Sequence, residues 1–145
     1  MVRSTSVTAT ALLAALIVAT PAEAAKWRGK TRQGRAAAVH TGADGLVSFV
    51  RIRYLAPCRD NTAVRAGVVF LPPLDRNGTT AFADHGPFSF RIGRERVRAR
   101  TFVNGGLRRS GRWTGNFGIR LRVFRNGRLV TTCRIRHVGW RASPV

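Results

Sequence analysis

The chain has 145 residues, 26 of them Lys or Arg against six Asp or Glu, for a formal charge of +20 at neutral pH. That length fits one domain with a core of its own rather than several, and the charge favours polyanionic partners over basic ones. Two cysteines without a matching histidine cluster do not make a zinc site, so neither a metal nor a cofactor is expected.

In chain order, the first element is an export signal. Arg3 supplies a positive start, and Val7 to Ala19 is a run of 13 residues, apolar apart from two threonines. Thr20-Pro21 breaks the run, and Ala22-Glu23-Ala24 places small residues where signal peptidase needs them. Residues 1–24 are read as a cleaved signal peptide and 25–145 as a single β domain, secreted or held in the extracytoplasmic cell envelope. The competing reading is a retained anchor, but a spanning helix needs about 20 apolar residues.

Lys26 to Arg35 is polar and glycine-bearing, and is expected over the surface or as an edge strand. Beyond it the hydrophobic period is two, which means strands. Residues 36–41 form a short strand, and 41–45 a turn. Over 46–55, Leu46, Ser48, Val50, Ile52 and Tyr54 share one face; Val47, Phe49, Arg51, Arg53 and Leu55 share the other. Residues 64–70 form the next strand, and Pro72 to Gly78 a loop. The stretch 79–87 holds a short strand at most, with Asp84-His85-Gly86 at a loop tip. Phe88, Phe90 and Ile92 then share a face. In 95–103, Val97, Ala99, Thr101 and Val103 oppose Arg96, Arg98 and Arg100, and Asn104-Gly105-Gly106 reads as a turn.

Residues 113–124 show the cleanest alternation. Trp113, Phe117, Ile119, Leu121 and Val123 face one way, Arg120 and Arg122 the other. Asn126-Gly127 is a type I′ hairpin signal. Its partner strand carries Leu129, Thr131, Cys133 and Ile135 inward, with Arg134 and Arg136 outward. Val138 and Trp140 fall on the wrong parity unless a bulge near His137 or Gly139 restores them to the core. The whole predicts an all-β fold: an antiparallel β-sandwich, or a partly closed barrel, of about seven or eight strands. Cys58 and Cys133 both sit at core-facing parity, and in an oxidising compartment such a pair predicts a disulfide.

No catalytic constellation is visible in the sequence. No serine sits in a nucleophile elbow, and an adjacent Asp84–His85 pair does not supply base–orienter geometry. Asp44 and Asp75 occupy turns, Asp60 follows Cys58 in a loop, and Glu95 stands among arginines as an ion-pair partner. The organised feature is arginine spaced by two: Arg51/Arg53, Arg96/Arg98/Arg100, Arg120/Arg122 and Arg134/Arg136. In strands this spacing puts each set on one face. Phe49, Phe102 and Phe124 share that parity. Neighbouring rows of this kind would make a basic surface for an anionic cell-wall or extracellular polymer. A merely solvated face, written as arginine by a GC-rich genome, is the rival. An exported hydrolase with a hidden site, and a module acting on a protein partner, are two further readings.

The opening Trp27-x-Gly29-x-Thr31-x-Gln33-Gly34, Cys58 closing an early strand, Phe88, the break at Gly105, Cys133 and the closing Trp140-Arg141-Ala142 form a layout across nearly the whole mature chain. It resembles small exported single-domain β proteins of GC-rich Gram-positive (actinobacterial) genomes. The resemblance implies a sandwich-like fold with a disulfide, and carries over no catalytic residue.

Overall fold

The computed structural model describes residues 24–145, so all but the last residue of the expected signal peptide lies outside the described residues. Every named element among the described residues is a strand: β1 (Lys26–Thr31), β2 (Ala36–Thr41), β3 (Val47–Pro57), β4 (Ala63–Phe70), β5 (Asp75–Asn77), β6 (Ala81–Ile92), β7 (Glu95–Leu107), β8 (Trp113–Arg125) and β9 (Arg128–Pro144). All pairings are antiparallel, in one sheet of order β4-β3-β2-β1-β9-β8-β7-β6-β5. The all-β antiparallel fold follows the expectation from periodicity. The count is nine because Lys26–Thr31 is a full strand between β2 and β9, and because Asp75–Asn77 pairs with β6.

The sheet curls until its two halves pack on each other. Tyr54 on β3 and Phe70 on β4 meet Phe117 on β8, with ring centroids 5.6 and 6.4 Å apart. Val39, Val50, Ile52, Val97, Leu121 and Trp113 fill the same interior. Burial of such side chains contributes roughly 1.5–3 kcal/mol each, so inner-face parity is strongly specified along every long strand.

Three bulges decide where that parity changes. Thr41 pairs with Val47 but His40 pairs with Phe49, so Ser48 is an extra residue in β3. Val47 therefore turns inward and is buried, against the outward side expected from simple alternation. On β9, Phe117 faces Val138 while Ile119 faces Ile135, which places an extra residue at Arg136–His137. This is the anticipated bulge, and it returns Val138 and Trp140 to the core. Nearer the hairpin, Val123 faces Thr131 but Phe124 faces Leu129, leaving Val130 as the extra residue. Leu129 is consequently outward and 48% exposed, not inward as expected.

Two further expectations are corrected. Asp84-His85-Gly86 is not a loop tip: the stretch lies inside β6, paired with Thr101 to Val103 of β7. Asn104-Gly105-Gly106 is not a turn, because β7 continues to Leu107. Its glycines serve packing. A methyl on Gly105 would run into the Phe82 ring and come within 2.9 Å of the Trp140 indole. The turn that does form as expected is Asn126-Gly127, with φ of 48° and 75°.

Cys58 and Cys133 are disulfide-bonded across a sequence separation of 75. The bridge ties the far end of β3 directly to β9, beyond the reach of the short β1–β2 hairpin. Gln33, at the tip of that hairpin, fills the remaining gap in the ladder. Its side-chain Nε2 donates to Leu55 O at 2.9 Å, and its Oε1 accepts from Leu55 N at 3.1 Å, as a neighbouring strand's backbone would.

Candidate anion-binding face

The outer face of β6–β9 is built by parity and register together. Inward Val97, Ala99 and Val103 on β7, and Ile119, Leu121 and Val123 on β8, force the intervening residues outward. Register then sets the rows. Arg98 lies opposite Arg122, Arg100 opposite Arg120, and Arg120 opposite Arg134 on β9. Arg96 lies between Arg91 on β6 and Phe124 on β8. Residues two apart along a strand are separated by roughly 6.8 Å and neighbouring strands by about 4.8 Å. The result is a two-dimensional lattice of guanidinium groups rather than isolated rows.

Two aromatic side chains lie within this lattice. The guanidinium carbons of Arg98 and Arg122 stand 5.3 and 5.4 Å from the Phe124 ring centroid. Such cation–π contacts orient the groups and contribute about 0.5–1 kcal/mol each at exposed sites. The Phe102 ring occupies the space beside Gly118, where a side chain would meet it. Phe49 does not join them; on β3 it stacks on His40 at 4.7 Å.

Two grooves open on the face. One, of about 440 Å³, is lined by Arg98, Arg100, Arg120 and Arg122 with Ser89; the other, of about 480 Å³, by Arg91, Arg94, Arg96 and Arg98 with Phe124. Arg98 lines both. No carboxylate lines either groove. Glu95 has the inward parity of Val97 and forms an ion pair with Arg125 at the hairpin end. The sidedness, apolar within and cationic without, is opposite to that of a membrane-spanning barrel, whose outer band is apolar.

Of the residues read from sequence, the structure brings together Arg96, Arg98, Arg100, Arg120, Arg122 and Arg134, with Arg136 beside them at the β9 bulge. It does not bring Arg51 and Arg53 to them. Those lie on β3, opposite Ala38, Val69 and Gly67. Arg91 and Arg94 belong to the face and escaped the spacing rule. Arg94 sits in the two-residue β6–β7 hairpin, whose Gly93 has φ of 58°. An Ile-Gly-Arg-Glu stretch between two alternating segments is the signal that marks it.

Asp75 does not occupy the expected turn but stands exposed in β5, paired with Ala83; the other acidic residues are engaged elsewhere. Asp44 Oδ1 accepts from Leu46 N at 3.0 Å, a turn contact. Asp60 and Glu95 line one cleft of about 340 Å³. There the side-chain hydroxyl and backbone N–H of Thr62 hold the Asp60 carboxyl below its ordinary value, against a smaller opposing effect of burial. A general acid requires the reverse shift, and Glu95 is committed to Arg125. Asp84 and His85 are consecutive strand residues and so point to opposite faces; the Asp84 carboxylate accepts the His85 backbone N–H at 2.8 Å. The chain matches no protein-family model, no curated protein and no solved structure, which leaves geometry and charge to carry the function.

Proposed function

We propose that the chain is an exported, non-enzymatic binding module that holds an anionic cell-wall or extracellular polymer across the outer face of β6–β9. The disulfide is the kind that forms and persists in oxidising compartments, in keeping with the expected signal peptide. The observation that carries the reading is the direct cross-strand pairing of like charges, Arg98–Arg122, Arg100–Arg120 and Arg120–Arg134, with no carboxylate among them. Such pairs are destabilising. A solvated face needs only polar residues, and alternating acids and bases would serve it better. A repeating polyanion relieves the repulsion, and flat guanidinium forks meet its oxyanions two at a time.

The test compares two variants of equal charge. In one, Arg96, Arg98, Arg100, Arg120 and Arg122 become Ser; in the other, Arg28, Arg51, Arg53, Arg59 and Arg65 do. On heparin or a phosphate-polymer resin, the first should elute at much lower salt than the second, because each lost phosphate contact removes about 0.7–0.9 from the slope of log affinity against log salt. Equal elution of the two variants would mean that only total charge matters, and the reading would fall.

A further inference from the structure

A second cationic cleft lies at the other end of β8 and β9, away from the lattice. Its volume is about 630 Å³, larger than either groove of the β6–β9 face. Lys30, Arg32, Arg108 and Arg141 line it, together with Thr114 and Asn116. Two hairpin loops form its walls. The β1–β2 turn is closed by Thr31 N to Arg35 O at 2.8 Å, and the β7–β8 turn by Arg108 N to Arg112 O at 2.8 Å. The base is opened by Gly115 and Gly139, with the Trp140 indole packed beneath against Phe82.

The cations here are mounted rather than loose. Arg108 Nε donates to Thr114 Oγ1 at 2.7 Å, which fixes one edge of its guanidinium and leaves the other free. Arg32 is anchored by its backbone N–H to Gly139 O at 2.9 Å. Its side chain lies over Gly139, where a Cβ would come within 3.3 Å of Arg32 Nε. Lys30 sits directly opposite Arg141, another like-charge pair with no carboxylate in the cleft. The Asn116 backbone N–H is already taken by Asn104 Oδ1 at 2.9 Å, and the Thr31 hydroxyl oxygen already accepts from Gln33 N and Arg35 N, so the Asn116 carboxamide and the Thr114 hydroxyl remain as the neutral hydrogen-bonding side chains of the wall.

We infer that this cleft is a separate site for one phosphorylated sugar or polyol unit, its phosphate held by Arg108, Arg141, Arg32 and Lys30 and its hydroxyls by Asn116 and Thr114. Charge alone would call for cations only. Preset guanidinium geometry beside neutral donors and acceptors, in a pocket the size of a small ligand, matches a compact group bearing both oxyanions and hydroxyls. The site shares none of the lattice arginines, so it stands or falls independently of polymer binding there.

The probe is glycerol phosphate, titrated at constant ionic strength into the purified protein and followed by amide NMR shifts, with inorganic sulfate as the comparison. Saturable shifts should centre on Gly34, Gly115, Asn116 and Gly139, and sulfate should bind more weakly. Arg108→Ser with Arg141→Ser should weaken binding at least about tenfold, as expected for lost hydrogen bonds to a charged group. Arg108→Lys, which keeps the charge but not the fork, and Asn116→Ala should each weaken it severalfold, and they serve if the double variant misfolds. The five-arginine lattice variant should bind glycerol phosphate as before. Linear shifts spread over all arginines, equal binding of sulfate, or full binding by Arg108→Lys and Asn116→Ala would overturn the inference and leave adventitious anion attraction only.

Discussion

Arg120 is the node of the lattice, because it lies opposite Arg100 on one side and Arg134 on the other. Changing it to Thr removes two direct like-charge pairs while keeping a good strand former. Each such pair costs roughly 0.2–1 kcal/mol, so Arg120→Thr should gain about 0.4–2 kcal/mol at low salt. For a domain of this size that corresponds to a rise in Tm of about 2–8 °C. The gain should disappear at high salt, since the screening length shrinks from about 30 Å at 0.01 M to about 3 Å at 1 M.

The control is Arg51→Thr. Arg51 is exposed on the same kind of surface but faces Ala38 and Val69, so no like-charge pair is relieved. Thermal unfolding of both variants and the parent, at low and high salt and above the histidine titration range, gives the answer. Arg120→Thr should be stabilised relative to Arg51→Thr at low salt only. Adding heparin should then raise the Tm of the parent more than that of Arg120→Thr, because ligand binding to the folded state is what offsets the repulsion. If the two variants match at low salt, or if the difference persists at high salt, the lattice is not electrostatically frustrated and the argument from paired arginines fails.

Three other outcomes follow from the structure. Removing the disulfide by Cys58→Ser with Cys133→Ser frees a loop spanning 75 positions, which should cost about 4–5 kcal/mol; an unchanged denaturant midpoint would contradict this. Gly105→Ala should destabilise by about 1–3 kcal/mol through overpacking, since its methyl meets the Phe82 ring. In chemical denaturation the effect should be partly relieved by adding Phe82→Leu, with the Trp140 contact remaining. His40 has its pKa lowered from 6.5, first by burial and then by Lys26, Arg28 and Arg51. Its neutral form is therefore favoured in the folded protein, so stability from this group is full above about 6.5 and declines as pH falls toward the depressed value. Denaturant midpoints across that window should show the decline in the parent and its absence in His40→Gln.

What sequence shows and what it hides can be separated residue by residue. The facing of Arg96 to Val103 and of Phe117 to Val123 is legible because their period of two is unbroken. The inward turn of Val47 and the outward turn of Leu129 are not, because each follows a bulge whose extra residue, Ser48 or Val130, looks like any other strand residue. The His137 region was legible only because two large side chains, Val138 and Trp140, had to be buried and were out of step. Gly105-Gly106 misleads for a different reason. Glycine is needed there to admit Phe82 and Trp140, and a pair of glycines after Asn reads the same whether it turns the chain or makes room for aromatic rings.

The site was hidden at a higher level still. Arginine spacing places guanidinium groups on a face, but it says nothing about which faces adjoin. Arg51/Arg53 and Arg120/Arg122 carry the same pattern, yet register sets the first pair against Ala38, Val69 and Gly67 and the second against Arg98, Arg100 and Arg134. Of these two, the second alone accumulates like charge across strands, and there the fold carries a strain that a ligand can relieve. The second cleft goes one step further, since Lys30 and Arg32 stand two apart at the end of β1, whereas Arg108 and Arg141 share neither strand nor spacing with them. They meet because the β1–β2 and β7–β8 turns close over the same stretch of β9. A function carried by charge on a β sheet is thus written in the pairing of strands more than in the strands themselves, which is why changing a single register partner, as Arg120→Thr does, tests it more sharply than removing charge at large.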